Sequence, residues 1–202
     1  MELMQLVKIL WKRIWLLIFP AVIAGVAAFL LTGEQEDTYT SAAMLSTGLS
    51  GSRVSLDEDE RAFVMMRRRS NIIELGRSRA IFDNLSYQLL YHDLNAEEPF
   101  RTLPTDLEGF PYDKRGEIKQ LLQSYFSGDK PQFNLQEYGL LQIFLEAFDY
   151  NFHTLVNAFK VIPAGDSDYL RVIYEAESPR LVLYAINTYN EIFISTYHTH
   201  IP

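Results

Sequence analysis

Residues 14–32 form a run of 19 residues without a charged side chain. As an α-helix, this run extends for roughly 28 Å, close to the thickness of a bilayer's hydrocarbon core. Lys8, Lys12 and Arg13 precede it, and acidic residues follow it at positions 34, 36 and 37. Because basic residues beside a membrane segment are retained on the cytoplasmic side, the run predicts a transmembrane helix with the N-terminus inside. Residues 1–13 are then a cytoplasmic interfacial helix, and residues 33–202 lie outside.

Two other interpretations of the run are a cleaved signal peptide and a buried helix of a soluble protein. A signal peptide has a shorter apolar core and a small-residue cleavage site, which the residues after Leu30 lack. A buried helix rarely carries flanks of opposite charge, so the membrane span is the favoured interpretation. Ala21, Gly25 and Ala28 are small residues at helical spacing, and they predict close contact with another membrane helix.

The composition of the remaining chain is that of one folded domain. About 170 residues follow the run, which is enough for a single domain with a hydrophobic core. The net charge of −8 argues against nucleic acid as a partner. A hydrophobic content of 48% excludes a disordered stalk. The absence of cysteine excludes disulfides and thiolate metal sites, and it permits an oxidising compartment such as the periplasm.

Periodicity beyond the run predicts a mixed strand and helix domain of the α+β class. Residues 38–49 are rich in Thr and predict a strand that returns from the membrane. Two further strands are expected over 159–163 and 169–176, where apolar and polar residues alternate. Capping-box patterns predict one helix over 56–69 and a second from 71 to about 94.

A helical insertion of about residues 100–158 is predicted between these parts. Its first helix is expected to close at Gly128, because glycine is the residue most often found just past a helix end. The second helix is expected to begin at Asn134, which opens a capping box ahead of a strongly apolar face. A further helical turn or two is predicted through Val156.

A long C-terminal helix is predicted from Ser178 onward, because Ser178 fits the N-cap and Pro179 fits the first helical position. Its apolar residues recur with alternating spacings of 4 and 3, as in a coiled-coil seam; they are Val182, Ile186, Tyr189 and Phe193. Two interpretations stay open for this seam. One is packing along another helix, within the chain or between subunits, and the other is an ordinary core-facing helix.

The sequence contains no convincing catalytic motif. Residues 48–52 resemble a nucleophile elbow, but Ser52 stands where the tight turn requires glycine. The acidic run over 57–60 lacks the ligand spacing of a calcium loop. His198 and His200 point apart on a helix, which is the wrong arrangement for zinc. The sequence therefore predicts a protein that is not an enzyme and that has no cofactor and no metal ion.

Arg67, Arg68 and Arg69 stand together at the end of the helix predicted over 56–69. One interpretation is contact with an anionic sugar, because guanidinium groups pair well with carboxylates. The other interpretation is that the three cations complement the negative C-terminal end of the helix dipole. The dipole interpretation is favoured, since basic residues are common in the last turn of a helix.

Four blocks in a shared order resemble the Wzz-type chain-length determinants, also called polysaccharide copolymerases. The blocks are Leu6–Trp15, Tyr39–Leu45, Asn71–Arg79, and Ser167–Tyr174 followed by Glu177–Pro179 and Ile186–Thr188. In order, they are similar to the family's entry into the membrane, its first strand, its first long periplasmic helix, and a later strand with the helix after it. Residues 100–158 carry no part of the resemblance.

The chain departs from the family pattern in two ways. Members of the family continue with a long coiled coil and a second transmembrane helix, and some carry a cytoplasmic kinase domain. None of these parts is recognisable here. The chain is therefore expected to be either a fragment of such a protein or a divergent member with a single span.

The resemblance implies a non-enzymatic inner-membrane protein that regulates chain length or assists polymerisation and export of a surface polysaccharide. The implied partners are the lipid bilayer, further copies of the chain, a polymerase or export machinery, and the polysaccharide itself. The implied location of the main domain is the periplasm, with the N-terminus in the cytoplasm. The alternative is a membrane-anchored periplasmic sensor or adaptor that binds a small ligand.

Overall fold

The computed structural model describes residues 11, 14–32, 38–47, 58–104, 107–129, 132–165 and 169–200 of the 202-residue chain. The chain divides into two compact units, residues 1–37 and residues 38–202. The first unit contains helix α1 (Ile14–Thr32). The second unit contains a three-stranded sheet and the other described helices.

Helix α1 differs from the predicted membrane anchor. The apolar run does form a helix, with Pro20 inside it. Within the residues that the structure describes, however, no helix is both long enough and apolar enough to cross a membrane. The transmembrane helix predicted over 14–32 is therefore contradicted.

The second unit confirms the α+β character predicted for the rest of the chain. Its elements are β1 (Tyr39–Ser46), α2 (Glu58–Gly76), α3 (Arg79–Asn95), a 3-10 turn (Tyr112–Lys114), α4 (Arg115–Phe126), α5 (Leu135–Ala147), α6 (Phe152–Ala158), β2 (Phe159–Pro163), β3 (Tyr169–Ala176) and α7 (Pro179–His200). The start of α5 is the predicted capping box. The Asn134 side chain accepts from the Glu137 backbone N–H at 2.9 Å, and the Glu137 carboxylate accepts from the Asn134 N–H at 2.9 Å.

The sheet has the strand order β1-β3-β2, with both neighbours antiparallel to β3. Tyr39 pairs with Ala176 at one end of β1, and Ser46 pairs with Tyr169 at the other. Alternate residues of β3 are buried, so one face of the sheet lies against helices and the other is exposed; the buried ones are Leu170, Val172, Tyr174 and Ala176.

An aromatic cluster fills the space between the sheet and the helices. The ring of Phe159 in β2 lies 4.3 Å from that of Tyr174 and 5.2 Å from that of Tyr189, measured between centroids. Phe82 in α3 meets Phe159 edge to face at 5.5 Å. All four side chains are buried, and such pairs add stability beyond the area they remove from water.

The boundary between α2 and α3 differs from the prediction. The helix continues through residue 70, and the break lies at 77–78, so the capping-box pattern that begins at Asn71 is inside α2. Packing explains the difference, because continuation of the helix buries Ile72 in the core and brings Gly76 next to Tyr189. Tertiary contacts of this kind often override a local helix signal.

Candidate functional site

Among the described residues, the most buried acidic side chain is that of Asp93, on the last turn of α3. Asp93 is 1% exposed, and it accepts hydrogen bonds from the backbone N–H groups of Phe100 and Arg101, each at 3.0 Å. The hydroxyl of Tyr150 donates to it at 2.6 Å, and Nδ1 of His92 lies 3.0 Å away. A buried carboxylate requires such partners, and here they hold the chain that leaves α3.

Arg101 extends this network to two other parts of the domain. Its guanidinium donates to the Glu177 carboxylate at 2.5 and 3.0 Å, and to the carbonyl oxygens of Phe148 and Asp149 at 3.0 and 2.8 Å. It also lies over the Tyr150 ring, 4.9 Å from the centroid. The hydrogen bond from Arg101 lowers the pKa of Glu177, and burial, followed by the charge of Asp93, raises the pKa of Tyr150.

These contacts give the network a structural role. Asp93 and Arg101 join α3, the segment after α5 and the segment before α7. The Asp93 carboxylate is occupied by two backbone N–H groups and the Tyr150 hydroxyl, and the Arg101 guanidinium by Glu177 and two backbone carbonyl groups. The His92 ring is also held in place, because it is stacked on Phe100 with ring centroids 4.1 Å apart. Among the described residues, no group of three or more His, Asp or Glu side chains could hold a metal ion.

Sequence inspection missed Asp93, although the sequence does contain a signal for it. Leu85, Leu89 and Asp93 are spaced four apart along α3, so Asp93 continues the apolar face of the helix. A lone carboxylate at such a position requires a hydrogen-bonding partner from elsewhere in the fold. No comparable pattern indicates Arg101, because its partners Phe148 and Glu177 lie 47 and 76 residues away.

The three consecutive arginines lie inside α2 and not in its last turn, so the favoured dipole interpretation is wrong. Arg69 donates from Nη2 to the carbonyl oxygen of Gly165, which ties α2 to the turn between β2 and β3. Arg67 and Arg68 are exposed. Phe63 and Met66 lie on the same side of the helix as Arg67, and they are 68% and 74% exposed.

We call Phe63, Met66 and Arg67 the α2 face. Large exposed apolar side chains beside an arginine are a composition typical of protein interaction surfaces. Helix α2 as a whole has no excess of either charge, since it contains four basic and four acidic residues. Residues 96–158 are acidic, with ten acidic and five basic residues.

A second candidate site is a groove of about 520 Å³ between the end of β1 and the last turns of α7. Its walls include Met44, Phe193, Tyr197 and His198, and most of the lining side chains are apolar. The hydroxyl of Tyr197 donates to the carbonyl oxygen of Thr47 at 2.9 Å, which joins the two walls. The volume is in the range of small-molecule sites, and the polar residues of the lining are Ser46, Thr47, Tyr197 and His198.

The other predicted site residues are those of the α7 seam, the small residues of α1 and the basic residues before α1. The side chains of Val182, Ile186, Tyr189 and Phe193 are buried in the core of the second unit, where α7 packs against α3, β1 and β3. Ala21, Gly25 and Ala28 are exposed on α1, and contact of these residues with another helix stays a prediction. Lys8, Lys12 and Arg13 lie outside the described residues.

Comparison with known proteins finds a family model that matches the N-terminal part of the chain. Residues 1–89 match the family model of Wzz, described as chain length determinant protein. This segment runs from the N-terminus through α1, β1 and α2 into α3, and the match confirms the resemblance predicted from the sequence. Comparisons with curated proteins and with solved structures find no match.

Proposed function

We propose that this chain regulates the length of a bacterial surface polysaccharide, and that it does so without catalysing the polymerisation. The observation that carries the proposal is the match of residues 1–89 to the chain length determinant family. Members of this family are non-enzymatic regulators that work with a polysaccharide polymerase and form oligomers. The family is generally associated with the inner membrane, and we place the action of this chain there, with its α+β domain in the periplasm.

The most buried polar network among the described residues supports a role without chemistry. Asp93 accepts from the backbone, and Arg101 donates to the Glu177 carboxylate and to a backbone carbonyl group. This is the arrangement of a structural network. The exposed features are instead an apolar and basic helix face and the open side of a sheet. Such surfaces fit a protein that acts by contact with copies of itself, with a polymerase or with the polymer.

Complementation in the host bacterium tests the proposal. The gene is deleted, the full chain is restored from a plasmid, and the surface polysaccharide is separated by gel electrophoresis. We expect deletion to change the distribution of polymer lengths and the full chain to restore it. Gly116→Ala is a suitable positive control, since a Cβ at this position meets nothing within 4 Å. An unchanged distribution after deletion would contradict the proposal, provided that immunoblots detect the chain in the parent strain.

The alternative function, a sensor or adaptor for a small ligand, is favoured only by the groove at Tyr197. If a ligand bound in the groove controls the chain, a bulky substitution on the wall, such as Ser46→Trp, is expected to abolish control of polymer length in the complemented strain. Complementation by Ser46→Trp therefore separates the two functions. Normal polymer length with this variant supports chain-length regulation through other surfaces, and loss of regulation at normal protein level supports the groove.

A further inference from the structure

We propose that a row of four aromatic side chains on the second unit is a binding site for a glycan, which it holds by stacking on sugar rings. The row, which we call the aromatic patch, consists of Tyr91, Tyr125, Phe126 and Phe133. The inference rests on the proposed function and deepens it, because it names the surface that contacts the polymer whose length the chain regulates.

The aromatic patch lies where three parts of the fold meet. Tyr91 is on α3, Tyr125 and Phe126 are on the last turn of α4, and Phe133 precedes α5. The ring centroid of Phe126 lies 5.5 Å from those of Tyr91 and Tyr125. The centroid of Tyr125 lies 5.2 Å from that of Phe133. The rings therefore follow one another as a continuous row.

The rings of the patch are only partly covered by the protein. Phe126 is 38% exposed, and Tyr91, Tyr125 and Phe133 are half-buried. Tyr87 of α3 supports two of them from the core. It is buried, and its ring meets those of Tyr125 and Phe133 edge to face at 5.4 and 5.5 Å. A surface held in this way is fixed before a ligand arrives.

Two hydroxyl groups of the patch are available to a ligand. Neither Tyr91 nor Tyr125 forms a hydrogen bond through its hydroxyl with the described residues. The hydroxyls of the core residues Tyr150 and Tyr189, in contrast, donate to a carboxylate and to a backbone carbonyl oxygen. The tyrosines of the patch thus differ from those of the core in both exposure and bonding.

Polar side chains of α3 lie beside the patch. Asn84, Gln88 and Tyr91 have spacings of four and three, so the two amides share a stripe of the helix with one ring of the patch. The Gln88 amide donates to the Asn84 side-chain oxygen at 3.3 Å. Asp83 is also close, because its charge, after the larger effect of burial, raises the pKa of Tyr125. Amide and carboxylate groups of this kind bind hydroxyl groups.

This combination of groups matches the two surfaces of a sugar. One face of a pyranose ring is made of C–H groups, which stack on an aromatic ring, and its rim carries hydroxyl groups, which form hydrogen bonds with amides and carboxylates. A row of rings offers neighbouring contacts to a chain of repeated sugars, so weak individual contacts add up. All four residues of the patch lie beyond residue 89, where the family match ends, so the patch is a feature of this chain.

Binding of the full chain to polysaccharide tests the inference. The probe is the surface polysaccharide purified from the parent strain and cast into native gels, where retardation of the chain gives the dissociation constant. Tyr91→Ala and Phe126→Ala are each expected to raise this constant about threefold to tenfold, as loss of one aromatic contact does. Tyr91→Phe keeps the ring and is expected to retain most of the affinity.

Two controls separate stacking from other effects. Phe63→Ala removes an exposed phenylalanine ring from α2, outside the patch, and is expected to bind as the wild-type chain does. Phe126→Leu keeps an apolar side chain that packs on α4 but removes the ring, and it is expected to weaken binding as Phe126→Ala does. Circular dichroism of every variant shows that the fold is retained.

Three results would overturn the inference. The first is normal binding by the combined variant Tyr91→Ala/Phe126→Ala, which is also the result expected if the patch contacts a protein instead of a glycan. The second is failure of the wild-type chain to bind the polysaccharide. The third is a loss of affinity in Phe63→Ala as large as that in Phe126→Ala, because binding would then not depend on the patch.

The complementation assay distinguishes failure of this inference from failure of the proposed function. If the patch variants bind normally and the wild-type chain still controls polymer length, the glycan site is wrong and the function stands. If deletion of the gene leaves polymer length unchanged, the proposed function fails, whatever affinity the gels give. Loss of both polysaccharide binding and length control in Tyr91→Ala/Phe126→Ala supports the two together.

Discussion

The hydroxyl of Tyr189 donates a hydrogen bond to the carbonyl oxygen of Gly76 at 2.7 Å, across 113 residues of sequence. The bond is buried, and it joins the middle of α7 to the last residue of α2. Two parts of the chain that are far apart in sequence are thereby held together. One part, α2, belongs to the segment that matches the chain length determinant family, and the other lies beyond it.

Gly76→Ala is expected to destabilise the second unit by about 1–3 kcal/mol, as overpacking of a core does. A Cβ at this position would lie 2.9 Å from the Tyr189 hydroxyl oxygen and 3.3 Å from Cγ1 of Val161. The Tyr189 ring cannot easily move away, because it is stacked on Phe159 and contacts Phe82. Urea unfolding curves of the wild-type chain and of Gly76→Ala give the difference in free energy of unfolding.

Gly116→Ala is the matched control for this prediction. Gly116 lies in α4, and a Cβ there meets nothing within 4 Å. The substitution removes only the conformational freedom of glycine in a helix, so stability is expected to rise by about 0.5–1 kcal/mol. If both substitutions change stability by the same amount and in the same direction, the close approach of Tyr189 to Gly76 is not important.

Elements with strong local signals were predicted correctly from the sequence. The strands over 159–163 and 169–176, the capping box at Asn134 and the helix that begins at Pro179 are all present. Each depends on neighbouring residues: alternation in the strands, a side chain that binds the backbone three residues on, and a proline at the first helical position.

Features that depend on distant residues could not be predicted in this way. The end of α2 at Gly76 reflects contacts with Tyr189 and Val161, and the Asp93 network requires Arg101 and Tyr150 to reach it through the fold. The seam that begins at Val182 shows the same limit, because its spacing fits both a coiled coil and a core-facing helix. Within the chain these side chains are buried against α3 and the sheet, and contact between subunits stays a prediction.

Asp93→Asn is expected to destabilise the second unit by about 1–3 kcal/mol, since the amide leaves buried donors without an acceptor. The carboxylate accepts from Phe100, Arg101 and Tyr150, whereas an asparagine has a single acceptor oxygen. Thermal and urea unfolding measure the loss. Asp113→Asn, on an exposed position of the 3-10 turn, makes the same chemical change outside the network and is expected to have little effect.

Ile186→Asp is expected to unfold the second unit, because it places a charge in the core that nothing can neutralise. Asn187→Asp, at the next position on α7, is exposed and is expected to leave the fold intact. Circular dichroism and proteolysis compare the two. A folded Ile186→Asp chain that is merely dispersed would mean that the seam of α7 serves contacts between copies instead of the core.

The ion pair of Arg101 and Glu177 is expected to make stability depend on pH below neutrality. The pKa of Glu177 is lowered from its ordinary value of 4.5, mainly by the hydrogen bond from Arg101. Because the pKa is lowered in the folded state, the stabilisation from Glu177 is complete above its ordinary pKa. This stabilisation is lost as the pH falls through the pKa of the folded state. Glu177 is partly exposed, so solvent screening reduces the size of the effect.

Glu177→Gln tests the sign of this dependence. The wild-type chain is expected to be more stable than the variant above about pH 5, and the difference is expected to shrink as Glu177 becomes protonated at lower pH. Free energies of unfolding from urea titrations at a series of pH values provide the comparison. Glu108→Gln removes a carboxylate that forms no ion pair with the described residues, so it corrects for the change in net charge. If the difference in free energy of unfolding between the wild-type chain and Glu177→Gln stays constant with pH, Arg101 does not stabilise the charge of the Glu177 carboxylate.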